Sequence, residues 1–206
     1  MNSEDLPSEQ RRGIETIDVN DTVILVRANI GTVAQAFSLS RQACLWQRDI
    51  YQREIEIVGH SFVIFQFRGQ PWTLIKWLYV FLTPQKIITP EDAKTLSELL
   101  STRSIYYRIS DTGGTLAYQI YDRGTLVEKL FHEEDTETEF ESQLRSLQSE
   151  DIDNSYNFVY DIFVEQDIYI PMCFCLETYE VGEKTILEAE GIEAENLERV
   201  DYIAIK

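Results

Sequence analysis

Asp111-Thr112-Gly113 is the tripeptide of this chain that comes nearest to a catalytic loop. An aspartate held on a glycine-tightened loop can be half of a carboxylate pair that shares one proton over a bound water and hydrolyses an amide. On that reading Asp111 is the candidate catalytic acid of a carboxylate-dependent hydrolase. The same residue types also build a hairpin corner. An Asp side chain holds the turn, and Gly113 and Gly114 serve where φ must be positive.

The tripeptide resembles the catalytic loop of aspartic proteases, which work as homodimers when each short chain carries the loop once. That pattern has apolar residues directly before the aspartate, a small residue after the loop, and a hydrophobic-hydrophobic-Gly segment downstream. Here polar Ser110 precedes Asp111, Gly114 loosens the loop, and the nearest downstream candidate, Val181-Gly182, follows Glu180. The turn reading accounts for all of these residues, and three letters recur by chance.

Other chemistry-bearing residues are sparse. His60 stands between Gly59 and Ser61 at the entry of a strand and reads as structural. His132 opens His132-Glu133-Glu134-Asp135 but lacks the paired histidines of a zinc helix, so an acidic turn is the reading. Cys173 and Cys175 would share a strand face and read as small core residues. No phosphate-cradling glycine loop or nucleophile elbow is present. The acidic stretches 133–141 and 188–198 lack the ligand order of an EF-hand. No metal and no cofactor is implied.

Charge is more informative. The chain has 206 residues and a formal charge of −18, of which residues 1–100 carry −2 and residues 101–206 carry −16. Such a half repels nucleic-acid phosphates and anionic lipid and attracts a basic protein surface. Glu133, Glu134, Asp135, Glu137, Glu139 and Glu141 form its densest run. With Trp72, at a hairpin corner after Gln70-Pro71, they are the candidate partner-binding residues, since interfaces combine rigid aromatic area with steering charge. Three cysteines make no closed disulfide framework, which points to a reducing cytoplasm. The N-terminal residues have no apolar core of a leader, and no stretch is long enough to cross a bilayer.

The elements that must position these residues read as an α+β fold with a mostly antiparallel mixed sheet. Residues 1–14 read as a loose arm. Residues 15–206 read as one compact domain or two packed lobes, 15–102 and 103–206. "TVILVRANI" (22–30) is a buried strand. Helical spacing follows from Val33 to Leu39 and again from Cys44 to Ile50. "SFVIFQF" and "WTLIKWL" flank Arg68–Pro71 as a central hairpin (about 61–80), apolar on both faces; its exposure as an interface would leave a homodimer open. Thr89, Pro90, Glu91 and Asp92 start a helix, with Leu96, Leu99 and Leu100 as its buried face. Residues 104–131 form a β-meander. Residues 132–148 read as an acid run leading into a helix with Phe140, Leu144 and Leu147 on one stripe, and 151–167 as an amphipathic helix. "IYIPMCFCLETYEV" (168–181) and "VDYIAI" read as strands. Four or five helices would then pack the sheet.

The expectation is a cytoplasmic, non-catalytic interaction protein (inhibitor, immunity-type partner, adaptor or assembly factor) that meets a basic protein through its acidic half.

Overall fold

A computed structural model describes residues 7, 10–15, 20–55, 58, 60–78, 88–170, 175–181, 184–190 and 196–206. The expected end of the second hairpin arm (79–82), Cys173, Gly182, most of the 1–14 arm and residues 191–195 of the second acidic stretch lie outside these residues.

Nine strands form one sheet, antiparallel at every pairing. In chain order they are β2 (Asp21–Val26), β3 (Leu45–Gln47), β5 (His60–Phe67), β6 (Thr73–Leu78), β7 (Arg103–Ser110), β8 (Thr115–Asp122), β9 (Thr125–Glu133), β10 (Glu139–Ser142) and β14 (Leu197–Ile205). Across the sheet they run β10-β9-β8-β7-β2-β6-β5-β14-β3. Strand β14 therefore enters between β5 and β3. A parallel pair joins β1 (Gly13–Ile14) to β11 (Tyr169–Ile170), and a smaller antiparallel sheet joins β12 (Cys175–Val181), β13 (Lys184–Glu190) and β4 (Glu54–Ile55).

The described residues contain three α-helices, not four or five: α1 (Ile30–Ser40), α2 (Pro90–Leu99) and α3 (Ser155–Glu165). Helix α1 starts where Asn29 Oδ1 accepts from Thr32 N at 3.0 Å and buries Ile30, Val33, Ala34 and Phe37. At the expected Thr89 start of α2, Thr89 N and Oγ1 both donate to Asp92 Oδ2, at 2.7 and 2.9 Å, and Pro90 occupies the first turn where its missing N–H costs nothing. Its buried face is Ala93, Leu96 and Ser97; Leu99 is 58% exposed, so the expected face is off by part of a turn.

Two expected helices are absent for identifiable reasons. Residues 45–47 are edge strand β3, and Gln42, Asp49 and Gln52 take positive φ, which breaks any helix across Cys44–Ile50. Within 132–148 the chain turns and returns as β10, where Glu139 is exposed, Phe140 buried and Glu141 exposed. That is a strand's period of two. The imagined helical stripe fails because Leu144 and Leu147 are 44% and 38% exposed.

Two cores lie on opposite faces of the large sheet. Helices α1 and α2 cover Ile24, Val26, Phe62, Ile64, Ile75 and Tyr106 on one. Helix α3, with the β1–β11 pair, covers Val23, Leu25, Val63, Phe65, Tyr107, Tyr118 and Leu130 on the other. The apolar hairpin is central: Phe62, Val63, Ile64, Phe65, Leu74 and Ile75 are buried against both layers, within the sheet's interior.

Candidate functional site

Asp111 sits on the exposed turn between β7 and β8. Its Oδ1 accepts from Thr112 N at 2.5 Å, from Thr112 Oγ1 at 3.0 Å and from Asn20 Nδ2. Ser110 Oγ donates to Asn20 Oδ1 at 2.8 Å and accepts from Gly113 N at 3.2 Å. The Thr112 hydroxyl, then the Thr112 amide, hold the Asp111 carboxyl below its ordinary value. Every one of these groups favours the ionised form. A dyad carboxyl that holds a shared proton needs the opposite environment, a facing carboxylate or an apolar pocket. The partners of the Asp111 carboxylate are a threonine and an asparagine.

Gly113 does not take the positive φ expected of it, whereas Gly114 does. The φ of Gly114 is +56°, and a Cβ there would come 2.5 Å from Glu134 Cβ. Glu134 N also donates to Gly114 O at 2.9 Å. The β7–β8 turn therefore presses on the turn that follows β9. The two short motifs that stand out in the sequence, Asp-Thr-Gly-Gly and His-Glu-Glu-Asp, meet in space as neighbouring hairpin ends.

The acidic residues are spread along that second hairpin. Glu133 ends β9; Glu134, Asp135 and Glu137 lie in the turn; Glu139 and Glu141 are on β10, an edge of the large sheet. All six are exposed. Glu141 pairs with Lys129 Nζ at 2.9 Å. Among the described residues the other five make no ion pair. Asp135 takes φ +64° at the corner, and Thr136 closes it by donating N and Oγ1 to Glu133 O at 3.0 and 2.8 Å. His132 Nδ1 meets Thr138 Oγ1 at 2.9 Å, and Thr138 Oγ1 meets Ser155 Oγ at 3.0 Å, which ties the hairpin to the start of α3.

Trp72 is elsewhere. It is 1% exposed, and its indole Nε1 donates to Gln166 O at 2.8 Å. The corner after Pro71 turns the ring into the α3-side core, so Trp72 offers no surface to a partner. Among the described residues no three His, Cys, Asp or Glu side chains converge as metal ligands would.

The support beneath the acidic hairpin is a buried carboxylate that pattern reading passed over. Glu128 on β9 has no exposed side-chain surface. Its Oε1 accepts from Tyr118 OH at 2.9 Å, and its Oε2 from Ser142 Oγ and Arg145 Nε, each at 2.7 Å. Arg145 reaches on to Glu165 Oε2 at 2.9 Å. Burial, then the charge of Glu128, pushes the Tyr118 phenol far above its ordinary value. Burial by itself opposes the Arg145 charge, but its bonds to Glu165 and Glu128 outweigh that and raise its value. The network joins β8, β9, β10 and α3. Its sequence signal is a charge at an inward strand position, two residues before buried Leu130.

A second such clip sits at the opposite side of the sheet. Buried Asp201 accepts from Trp46 Nε1 and Asp49 N, each at 3.0 Å, and pairs with Arg199.

No protein-family profile, curated protein or solved structure matches the chain.

Proposed function

We propose that the protein is a non-catalytic interaction module that engages a basic partner protein through the β9–β10 hairpin. The observation that carries this is the placement of Glu133, Glu134, Asp135, Glu137, Glu139 and Glu141 together at one exposed edge, where among the described residues only Glu141 pairs with a cation, Lys129. Unpaired surface carboxylates concentrated on one projection set up a field that speeds encounter with a cationic surface and falls away with salt. Glu128 and its partners hold the projection to the sheet, so it meets a partner largely preformed. The three thiols favour a cytoplasmic setting. An inhibitor, an immunity-type partner, an adaptor and an assembly factor all use such a surface.

The test compares the wild-type chain with a variant carrying Glu133→Gln, Glu134→Gln, Asp135→Asn, Glu137→Gln, Glu139→Gln and Glu141→Gln. Each is immobilised, exposed to lysate of its own host at low salt and eluted with a salt gradient. The wild type is expected to release a basic protein at moderate salt that the neutralised variant does not retain. Asp111→Asn is expected to behave as wild type. Identical retention by the neutralised variant overturns the proposal.

A further inference from the structure

The helix-covered face of the large sheet is only partly covered. Helix α1 lies over β5 and β14, and α2 lies over β2, β7, β8 and the start of β9, as far as Tyr106, Tyr121 and Leu126. Beyond α2 the register carries the same face onto Arg108, Ala117, Phe131 and Glu139, one from each of β7, β8, β9 and β10. Thr115 and Glu133 form the next row. None of these six is buried. The opposite side of the same strands is closed, with Ile109, Leu116, Leu130 and Phe140 in the core.

The row has relief. Ala117 is a small floor between the long side chains of Arg108 and Phe131, whose strands stand about 10 Å apart, two strand spacings. Phe131 is 40% exposed in mid-strand. The notch is thus apolar at its centre, acidic along the β9–β10 side through Glu133 and Glu139, and cationic at Arg108; Lys129, in the adjacent row of the same face, is engaged by Glu141 at 2.9 Å. Strand addition at β10 is a poorer use of this region, because Ser149 Oγ already accepts from the outward Phe140 N–H at 3.0 Å.

We infer that this open face is the seat of an amphipathic basic helix supplied by the partner, its apolar side over Ala117 and against Phe131 and its Lys and Arg side chains toward Glu133 and Glu139. The helix would extend the α1–α2 layer by one position, as helices packed on a sheet ordinarily do. Arg108 repels cations on the other flank and so sets which way round the helix lies. The inference rests on the acidic hairpin meeting a basic protein, and it adds where and how.

Three labelled peptides of equal length, about 18 residues so that they hold a helix, serve as probes on the full chain. One is Leu/Lys amphipathic, one Leu/Glu amphipathic, and one is oligolysine, which reads charge alone. Binding is followed by fluorescence anisotropy, with backbone amide shifts to map it. The Leu/Lys peptide is expected to bind more tightly than oligolysine and to shift amides of β8 to β10. Phe131→Thr and Ala117→Gln, both uncharged and both at unburied positions, should each weaken it about tenfold, as loss of a central contact does, while oligolysine is little affected. If Leu/Lys and oligolysine bind alike, ignore both variants and are lost only on the six-residue neutralised hairpin, the seat is overturned and the acidic reading stands. If neither binds, both fall. If the wild type dimerises and the two variants are monomers, the occupant is a second copy and the inference is overturned.

Discussion

The centre of the sheet and its β8–β10 end are made of the same antiparallel strands, yet they are read by water differently. Strands β2, β5, β6 and β14 are covered on both faces, and their sequences are nearly continuous apolar runs, "TVILV" and "FVIFQF". Beyond the reach of α2, strands β8, β9 and β10 are covered on one, and theirs alternate, "LAYQIY", "LVEKLF", "EFES". The difference teaches that burial is divided along the sheet. Substitutions at the centre are expected to act on folding; on the proposed function, those on the open face of the far end are expected to act on binding.

Four measurements break or sharpen that division, and the greatest effect is expected at the centre. Trp72→Ala removes a fully buried ring and its bond to Gln166, and should cost about 3–5 kcal/mol in chemical denaturation; a loss like that of an exposed site would mean that the core account is wrong. Phe131→Thr is its counterpart and should stay within about 0.5 kcal/mol, as exposed changes do.

Next is Glu128→Gln, which keeps the shape but leaves Arg145 and Tyr118 imperfectly partnered. It should cost about 1–3 kcal/mol and loosen the acidic hairpin first, seen as faster amide exchange in β10 than in β5. Uniform exchange changes would deny that Glu128 holds the hairpin.

The third effect is alkaline. Burial pushes the Tyr107, Tyr118 and Tyr169 phenols above their ordinary value. A raised folded value means that stability is complete below the unfolded phenol value of about 10 and declines as pH rises beyond it, because the unfolded chain releases those protons first. Denaturation midpoints followed upward from neutrality should hold steady and then fall; a fall that begins well below that value would assign the loss to other groups.

The fourth is Gly114→Ala, expected to cost about 1 kcal/mol from the positive φ, with the Glu134 contact adding to it. A neutral result would show that the two turns part easily.

Much of the two-sided centre was legible. The start of α2 carries its capping residues in order, and the hairpin around Arg68–Pro71 and the meander are punctuated by Gly, Pro and Asp. The far end was harder for a physical reason. An acid run followed by spaced apolar residues suits a helix start as well as a turn before a strand, and only pairing of Glu139–Ser142 with Glu128–Phe131 decides. That pairing is tertiary. Leu144 and Leu147 then mislead, because their exposure breaks the rule that apolar spacing marks a buried face. Trp72 misleads in reverse, as a corner position says nothing of which way a ring will turn. The acidic residues were found as a run, but their meeting with the Asp111 turn depends on the hairpins' shared end, which no local pattern records.

The place of β14 has a consequence for the order in which the protein is made. Strand β5 must wait for a neighbour whose residues lie far along the chain; Ser61 and Tyr202, in contact through their hydroxyls, are 141 positions apart. Until then a nascent β5–β6 hairpin shows an unpaired, strongly apolar strand edge, the kind that recruits other chains. Synthesis of this protein therefore has a vulnerable interval, ended by β14, during which a chaperone that holds strand edges would raise the yield of folded chains more than it would alter their final stability.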